Sequence, residues 1–385
     1  MVSRQSDDFT DERLDSIKAD NLYRTLKSVV VKGPVAVVNA KTAIHLCSND
    51  YLGLSQDRRV VKAAARALKH VSQASSRLIA GNDPAIEKLE EILARHRRTE
   101  AALVYPTGYM ANLGAVTALA DSKTTIFSDE LNHASIIDAC RLSGARVQVF
   151  RHNDAAHLDR LMHVQGRKVV ITEGVFSMDG DTADLRQICE VAQEHGAMTI
   201  VDDAHGDFVF GPGFSGIPAS LGVDVDVHIS SLSKGLGCFG GYVASSERVR
   251  DALINTSRQF IYTSALPDHL CAAATTAVPI AKKGLLQKRL YANIRFFASG
   301  LKKKGFTLGN SSSQIIPVIV GDEKKALAFS QELLRYGAFA QAVRYPTVKK
   351  GSARLRVSLT AMHEKGHLES ALDAFASAGR KTGLV

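Results

Sequence analysis

The sequence has few cysteines, and none of them forms a Cys-x-x-Cys pair. The five are odd in number and widely spaced: Cys47, Cys140, Cys189, Cys238 and Cys271. This pattern argues against a disulfide framework and against a zinc site. We therefore expect no metal in this protein.

A long apolar run is also lacking. No segment reaches the length that crosses a membrane, and the first ten residues are polar and acidic, without the apolar core of a signal peptide. Internal repeats and low-complexity tracts are absent as well. These absences predict a cytoplasmic protein without a membrane partner.

The positive charge is not concentrated in one region. The 385 residues carry a net charge of +9 and are 45% hydrophobic, an ordinary globular composition with room for two domains. Basic clusters are short, as at 302–304, the aromatic residues are dispersed, and no nucleic-acid-binding module is recognisable. We expect no nucleic-acid partner; a secondary role of the charge is attraction of phosphorylated or CoA-linked substrates.

Strand and helix patterns alternate through the middle of the chain. A helix over 185–195, for example, leads into a strong apolar strand at 198–201. This alternation predicts an α/β fold whose mostly parallel sheet has helices on both faces, with the ligand beyond the carboxyl ends of the strands.

The two ends of the chain follow other patterns. Apolar spacing predicts a helix over 10–26, followed by strands at 29–38 that form an arm outside the main sheet. After a long helical stretch, strands including 306–308 and 315–320 predict a smaller α+β unit. We expect an N-terminal helix and arm (1–45), a large cofactor-binding domain (46–275) and a small domain (276–385).

One lysine, Lys234, follows a predicted strand and is itself followed by glycines that allow a tight backbone turn. A lysine enclosed at a strand end loses part of its ammonium form to desolvation and can attack an aldehyde. Gly235, Gly237 and Gly240 also spell the G-x-G-x-x-G dinucleotide fingerprint. Because residues 241–245 look like a strand instead of a helix, we expect that fingerprint to be accidental.

Polar residues after other strands would face the same crevice as Lys234. Asp202 and His205 follow one strand, Ser177 another and His133 a third. A strand, a small-residue turn and a helix start at 101–112 form a candidate anion site, with Thr107, Gly108 and Tyr109 at its centre. An aldehyde held by a lysine, beside a carboxylate, a stacking ring and an anion site, describes a pyridoxal phosphate (PLP) site.

Several segments together resemble the α-oxoamine synthase family of fold-type I PLP enzymes. The segments are Ser48-Asn-Asp-Tyr-Leu-Gly-Leu54, Asn132-His-Ala-Ser135, Thr172-Glu-Gly-Val-Phe-Ser-Met-Asp-Gly-Asp181, Asp202-Asp-Ala-His-Gly206, Ser231-Leu-Ser-Lys234, Tyr262-Thr-Ser-Ala-Leu-Pro267 and Ala353-Arg-Leu-Arg-Val-Ser-Leu-Thr360. The resemblance implies a role for each matching residue.

It makes Lys234 the lysine that binds the cofactor covalently, Asp202 the partner of its pyridine nitrogen, His205 a neighbour of its phenolic oxygen and His133 the ring stacked on it. It places the remaining residues as follows: Gly108, Tyr109 and Ser231 near the phosphate, Ser177 beside the cofactor ring, Thr263 and Ser264 reaching the phosphate from the partner subunit of a homodimer, Arg356 on the amino-acid carboxylate, and Asn49 in the lining of the active site.

The resemblance implies condensation of L-alanine with an acyl-CoA, with release of CoA and CO2. The acyl-CoA that we expect is pimeloyl-CoA. Lys234 would be the base, assisted by His133. Relatives that use glycine or serine remain an alternative. Two other function classes are a nicotinamide-dependent oxidoreductase and a non-catalytic PLP-binding regulator. The intact lysine-aspartate pair argues against the regulator.

Overall fold

The computed structural model describes residues 4–19 and 22–385. Its helices are α1 (Arg4–Ala19), α2 (Arg58–Ala67), α3 (Pro84–Arg97), α4 (Gly108–Leu119), α5 (Ala134–Ser143), α6 (Ala155–Leu161), α7 (Leu185–Glu194), α8 (Gly216–Leu221), α9 (Glu247–Thr256), α10 (Arg258–Ile261), α11 (Asp268–Ala281), α12 (Leu285–Lys303), α13 (Glu323–Arg335) and α14 (Lys365–Thr382). Its strands are β1 (Val29–Lys32), β2 (Val35–Val38), β3 (Lys41–His45), β4 (Ala101–Tyr105), β5 (Thr124–Asp129), β6 (Arg146–Phe150), β7 (Arg167–Glu173), β8 (Met198–Asp202), β9 (Val227–Ser231), β10 (Gly241–Ser245), β11 (Ile315–Gly321), β12 (Ala338–Phe339), β13 (Gln341–Val343) and β14 (Ala353–Ser358).

A seven-stranded sheet in the order β4-β10-β9-β8-β7-β5-β6 forms the centre of the molecule. The pairs among β5 to β9 are parallel, and β10 runs antiparallel to both of its neighbours. Strands such as β9 are buried along their whole length because helices cover both faces. The predicted α/β fold with a mostly parallel sheet is confirmed.

The glycine fingerprint leads into β10 and not into a helix, as expected. Gly240 has a φ of +128°, which favours glycine, and a Cβ on Gly241 would lie 2.4 Å from the backbone nitrogen of Gly108. These glycines therefore let β10 pass close to the start of α4. They do not open the helix that a dinucleotide site requires.

Two smaller sheets lie outside the central one. β11, β14 and β13 form an antiparallel sheet, and β1, β2 and β3 join β12 in a second sheet. The N-terminal strands thus form an arm outside the main sheet, as predicted. β3 pairs in parallel with β12, which ties the arm to the C-terminal part of the chain.

One local prediction is wrong in part and another is wrong entirely. α1 ends at Ala19 and residues 22–28 form neither helix nor strand, whereas a helix was predicted over 10–26, of which 20 and 21 lie outside the described residues. Leu26 is fully exposed, so its apolar spacing does not mark a buried helix face. Residues 306–308 are not a strand either, because Phe306 packs against Phe329 and Phe375 in an aromatic cluster and Leu308 makes only one isolated bridge.

The division into segments 1–45, 46–275 and 276–385 stays a prediction.

None of the helices within residues 4–19 and 22–385 combines the length and the apolar character that a membrane crossing requires.

Candidate active site

Polar side chains meet at the carboxyl edge of the central sheet. β7 ends at Glu173, β8 at Asp202 and β9 at Ser231, and Lys234 follows three residues later. Glu173 and Asp202 are direct partners in the register of β7 and β8, and both are buried. The structure therefore brings together strand-end residues that are far apart in sequence.

Lys234 is half-buried above this edge. Burial lowers the pKa of Lys234, and the nearby charges of Asp202 and Glu173 oppose this shift. Within the described residues, the Lys234 Nζ makes no hydrogen bond. A desolvated amine without a partner is suited to nucleophilic attack and to proton transfer.

Asp202 is held by Asn112, a residue that the sequence analysis missed. The Asn112 Nδ2 on α4 donates to Asp202 Oδ2 at 2.6 Å, and the backbone N–H of Ala204 donates to Oδ1 at 3.0 Å. The Asn112 Oδ1 is buried and has no hydrogen-bond partner among the described residues. No sequence signal marks Asn112, because 90 residues separate it from Asp202.

Glu173 is the second residue that the sequence analysis missed as part of the site. Its side chain is 2% exposed, and its Oε1 has no hydrogen-bond partner in the described part of the chain. Burial raises the pKa of Glu173 well above its usual value, and the negative charge of Asp202 acts in the same direction. Both effects favour the protonated form of Glu173.

Replacing Glu173 with glutamine is expected to remove a pH dependence of stability. The folded protein keeps the Glu173 proton above the pKa of the unfolded chain, so this group lowers the free energy of unfolding as pH rises from that value towards the folded pKa. As pH rises above the usual glutamate pKa of about 4.3, wild type should lose up to about 1.4 kcal/mol per pH unit more than E173Q. Urea unfolding of both proteins without cofactor measures this. Equal slopes would show that Glu173 is ionised in the folded protein.

His205 lies in the loop after β8 and contacts Tyr51, another residue that was missed. The Tyr51 hydroxyl lies 2.6 Å from His205 Nδ1, and both side chains are buried. Burial, followed by the positive charges of Lys234 and Arg356, lowers the pKa of His205 well below its usual value. A neutral ring that accepts from Tyr51 at Nδ1 carries its proton on Nε2.

His133 is the N-cap of α5. Its Nδ1 accepts from the backbone N–H of Ser135 at 3.2 Å and lies 2.7 Å from the Ser135 hydroxyl. These contacts fix the ring at the start of the helix. Burial lowers the pKa of His133, and the charge of Asp202 opposes the shift. A neutral imidazole of fixed orientation is suited to stacking on an aromatic ligand.

The start of α4 lies beside Ser231. The Thr107 hydroxyl caps the helix by accepting from Met110 N, and a Cβ on Gly108 would lie 3.1 Å from Ser231 Cβ. The first N–H groups of a helix have no partner within the helix and attract anions. Tyr109 is exposed at this end, and its hydroxyl donates to Asp138. The predicted anion site therefore has suitable donors and space.

Arg356 on β14 connects the small sheet to the crevice. Its Nε donates to the Ser177 carbonyl oxygen at 2.6 Å, and its Nη1 donates to Ser358 Oγ at 2.7 Å and to Asn49 Oδ1 at 3.3 Å. The three bonds orient the guanidinium through Nε and Nη1. They leave Nη2 for the carboxylate of a ligand.

Thr263 and Ser264 do not join the other predicted site residues within one chain. They lie between α10 and α11, where Ser264 bridges to Ser76 and is exposed. Their predicted role in the partner's site stays a prediction.

A buried ion-pair network supports the loop after β8. The Arg97 Nη1 donates to Asp203 Oδ2 at 2.8 Å, and His96 Nε2 lies 2.9 Å from Asp207 Oδ1. Asp203 and Asp207 flank His205 in sequence. The network therefore fixes the backbone on both sides of a site residue.

Two observations indicate that the site fits PLP. The Asn112 Oδ1 and the Glu173 Oε1 are buried polar atoms without partners among the described residues, and the start of α4 offers backbone donors to a phosphate. An amine, a carboxylate and an anion site thus surround one crevice.

A comparison with known families matches residues 41–375 to the family described as aminotransferase class I and II. The chain belongs to this family. Among curated members, the 8-amino-7-oxononanoate synthase of Geobacter metallireducens is 42% identical over 97% of this chain and 98% of its own length. That of Thermoanaerobacter pseudethanolicus is 40% identical over 100% of both chains.

Solved structures of class I and II aminotransferase relatives share the fold. A serine palmitoyltransferase of Sphingomonas wittichii covers 100% of both chains with a TM-score of 0.93 and 33% identity. That of S. paucimobilis, which holds PLP, has a TM-score of 0.92 with 32% identity over 100% of both chains. The 8-amino-7-oxononanoate synthase of Francisella tularensis has a TM-score of 0.77 with 25% identity over 88% of this chain and 98% of its own.

Proposed function

We propose that this enzyme condenses L-alanine with pimeloyl-CoA to give 8-amino-7-oxononanoate, CoA and CO2, as in biotin biosynthesis. The observation that carries the proposal is the end-to-end similarity, at 40% identity or more, to 8-amino-7-oxononanoate synthases. The geometry supports it because a desolvated amine, a carboxylate and an orienting arginine share one crevice.

PLP is the cofactor, and when bound it delocalises the electron pair left on the amino-acid Cα. Lys234 would hold it covalently, Asp202 would pair with its pyridine nitrogen, and His205 Nε2 would face its phenolic oxygen. His133 would stack on the ring with Ser177 beside it. Thr107, Gly108, Tyr109 and Ser231 would surround the phosphate.

Residues of this chain bind the substrate and transfer the Cα proton. Arg356 binds the carboxylate of alanine and so fixes the direction of the Cα–H bond. The Lys234 Nζ, freed when the amine of alanine takes its place, would remove the Cα proton and return a proton to this carbon after CO2 has left. A new bond joins Cα to the acyl carbonyl carbon while the C–S bond of the thioester breaks and CoA leaves. The net charge of +9 provides long-range attraction for the CoA group.

The direct test offers purified enzyme alanine, glycine or serine, each with pimeloyl-CoA or palmitoyl-CoA. We expect CoA release and CO2 formation to be fastest with alanine and pimeloyl-CoA, and mass spectrometry should find 8-amino-7-oxononanoate. Faster turnover with glycine or serine would contradict the substrate assignment and leave the reaction type intact. Absence of turnover with all six pairs would contradict the reaction type.

A serine-specific condensation is the second candidate. It is favoured by the TM-score of 0.93 with a serine palmitoyltransferase, against 0.77 with one 8-amino-7-oxononanoate synthase. Sequence identity points the other way, at 42% to a synthase of the first type and 33% to the palmitoyltransferase. The fold is common to both enzyme types, so the choice of substrate depends on side chains. The higher sequence identity therefore favours the alanine-specific reaction.

Replacing Arg356 with lysine is expected to raise the KM for alanine by about 10-fold or more, since an ammonium lacks the planar fork that the three bonds orient towards the ligand. The KM for the acyl-CoA should change much less, because the proposed contact is to the amino acid alone. Initial rates with each substrate varied in turn measure both constants. Exposed Arg380 provides a matched control as R380K. Equal increases in both KM values would contradict the assigned contact.

A homodimer and a cytoplasmic location belong to the same proposal. The support for a shared site is that, among the described residues, Thr263 and Ser264 make no hydrogen bond to the other predicted site residues, and Ser264 bridges to Ser76 instead. A mixture of a K234A chain with a T263A/S264A chain should regain activity in mixed dimers, which contain one intact site. Light scattering should give twice the chain mass of 41.5 kDa. A monomer that is fully active would contradict the shared site.

A further inference from the structure

Two histidines and an aspartate meet on the surface at the opposite edge of the central sheet. Asp159 lies on α6, His163 follows that helix, and His195 is the C-cap of α7. The chain continues from His163 into β7 and from His195 into β8, so the cluster lies at the amino ends of these strands. Glu173 and Asp202 lie at their carboxyl ends, and the cluster is therefore separate from the active site.

The ligating atoms of these side chains converge. One nitrogen from each histidine and one carboxylate oxygen all lie within 4.8 Å of one another. The His195 Nε2 is 2.7 Å from Asp159 Oδ1, and the rings of His163 and His195 are 4.9 Å apart at an angle of 86°. Zinc bonds of about 2.0–2.1 Å place tetrahedral ligand atoms about 3.3 Å apart, so small side-chain rotations would complete the site.

The surroundings favour a bound cation. Asp159 offers a carboxylate oxygen beside the two imidazole nitrogens. His163 is exposed, and Asp159 and His195 are half-buried, so an ion can enter and keep a water molecule in its fourth position. The Nζ of Lys168 donates to the backbone oxygen of His195 at 3.2 Å, so it does not compete with a metal ion for the imidazole nitrogens.

We infer that Asp159, His163 and His195 form a binding site for a divalent transition-metal ion, with Zn²⁺ as the expected ligand, that cross-links α6 to α7. Imidazole and carboxylate ligands suit zinc, copper and nickel, whereas Mg²⁺ and Ca²⁺ prefer oxygen alone. Because three protein ligands come from two elements that pack together, binding stabilises the folded state over the unfolded chain.

The test is titration of ZnCl2 into metal-free holoenzyme without an affinity tag, followed by calorimetry. Wild type should bind one Zn²⁺ per chain at this site, and MgCl2 should give no signal. H163A should weaken binding by about 10-fold to 100-fold or more, since even changes around a metal ligand cost this much. H163A keeps the pair of His195 and Asp159, so it separates a metal site from a simple hydrogen bond.

A second readout keeps the test independent of other zinc-binding groups. Zn²⁺ should raise the melting temperature of wild type and not that of H163A or D159N. The control variant H70A removes another exposed histidine and should behave as wild type. Zinc affinity that is unchanged in H163A, or absent in wild type, would overturn the inference. Turnover without added metal should be equal in all four proteins, because none of the changes touches the crevice.

Discussion

Replacing Lys234 with alanine is expected to reduce turnover by about 100-fold to 10,000-fold, the range that general acid–base catalysis contributes. The change removes both the amine that holds the cofactor and the base that moves the Cα proton. Because Lys234 Nζ makes no hydrogen bond to the described residues, its loss breaks no hydrogen bond of the folded chain. The effect should therefore fall on catalysis and leave the melting temperature of the cofactor-free protein nearly unchanged.

The measurement combines initial rates with chemical trapping. Borohydride treatment followed by mass spectrometry of peptides should find the cofactor on Lys234 in wild type and on no lysine in K234A. Exposed Lys365 gives a matched control, since K365A should be trapped at Lys234 and turn over as wild type. Cofactor trapped on another lysine of wild type would contradict the assignment.

Replacing Asp202 with asparagine should cost about 3 to 5 kcal/mol of cofactor binding and transition-state stabilisation together, by analogy with other broken buried pairs. This corresponds to roughly 100-fold to several thousand-fold. An amide is nearly the same size as a carboxylate and can still accept from Asn112 or Ala204, so the fold should persist. What is lost is the negative charge that keeps the pyridine nitrogen protonated.

Glu173 supplies the matched control for Asp202, because the two side chains are partners on adjacent strands. E173Q replaces a carboxyl group whose protonated form is favoured by burial with a neutral amide of similar size. It should change kcat and cofactor affinity by less than about threefold, within the range of a single neutral hydrogen bond. Rates and fluorescence titration of the cofactor-free proteins compare the two variants. Equal losses in D202N and E173Q would show that the negative charge is not specific to Asp202.

Much of the site could be predicted from the sequence because its main residues follow strands. The carboxyl ends of parallel strands share one edge of a sheet, so Asp202, Ser231 and Lys234 come together whatever the details of packing. The helix start at 108 and the strand at 241–245 could also be predicted locally. The sequence predictions failed where an apolar residue does not belong to a buried helix face or a strand. Leu26 is exposed, and Phe306 packs in an aromatic cluster.

The sequence by itself determined the α/β alternation, the reactive lysine and the set of motifs that marks the family. Only the tertiary structure placed Asn112 on Asp202 and Tyr51 on His205, contacts that span 90 and 154 residues. It alone decided the burial of Glu173 beside Asp202 and the meeting of His163 with His195. Local spacing records the period of a helix or strand, whereas burial, desolvation and the distance between two charges depend on which elements pack together.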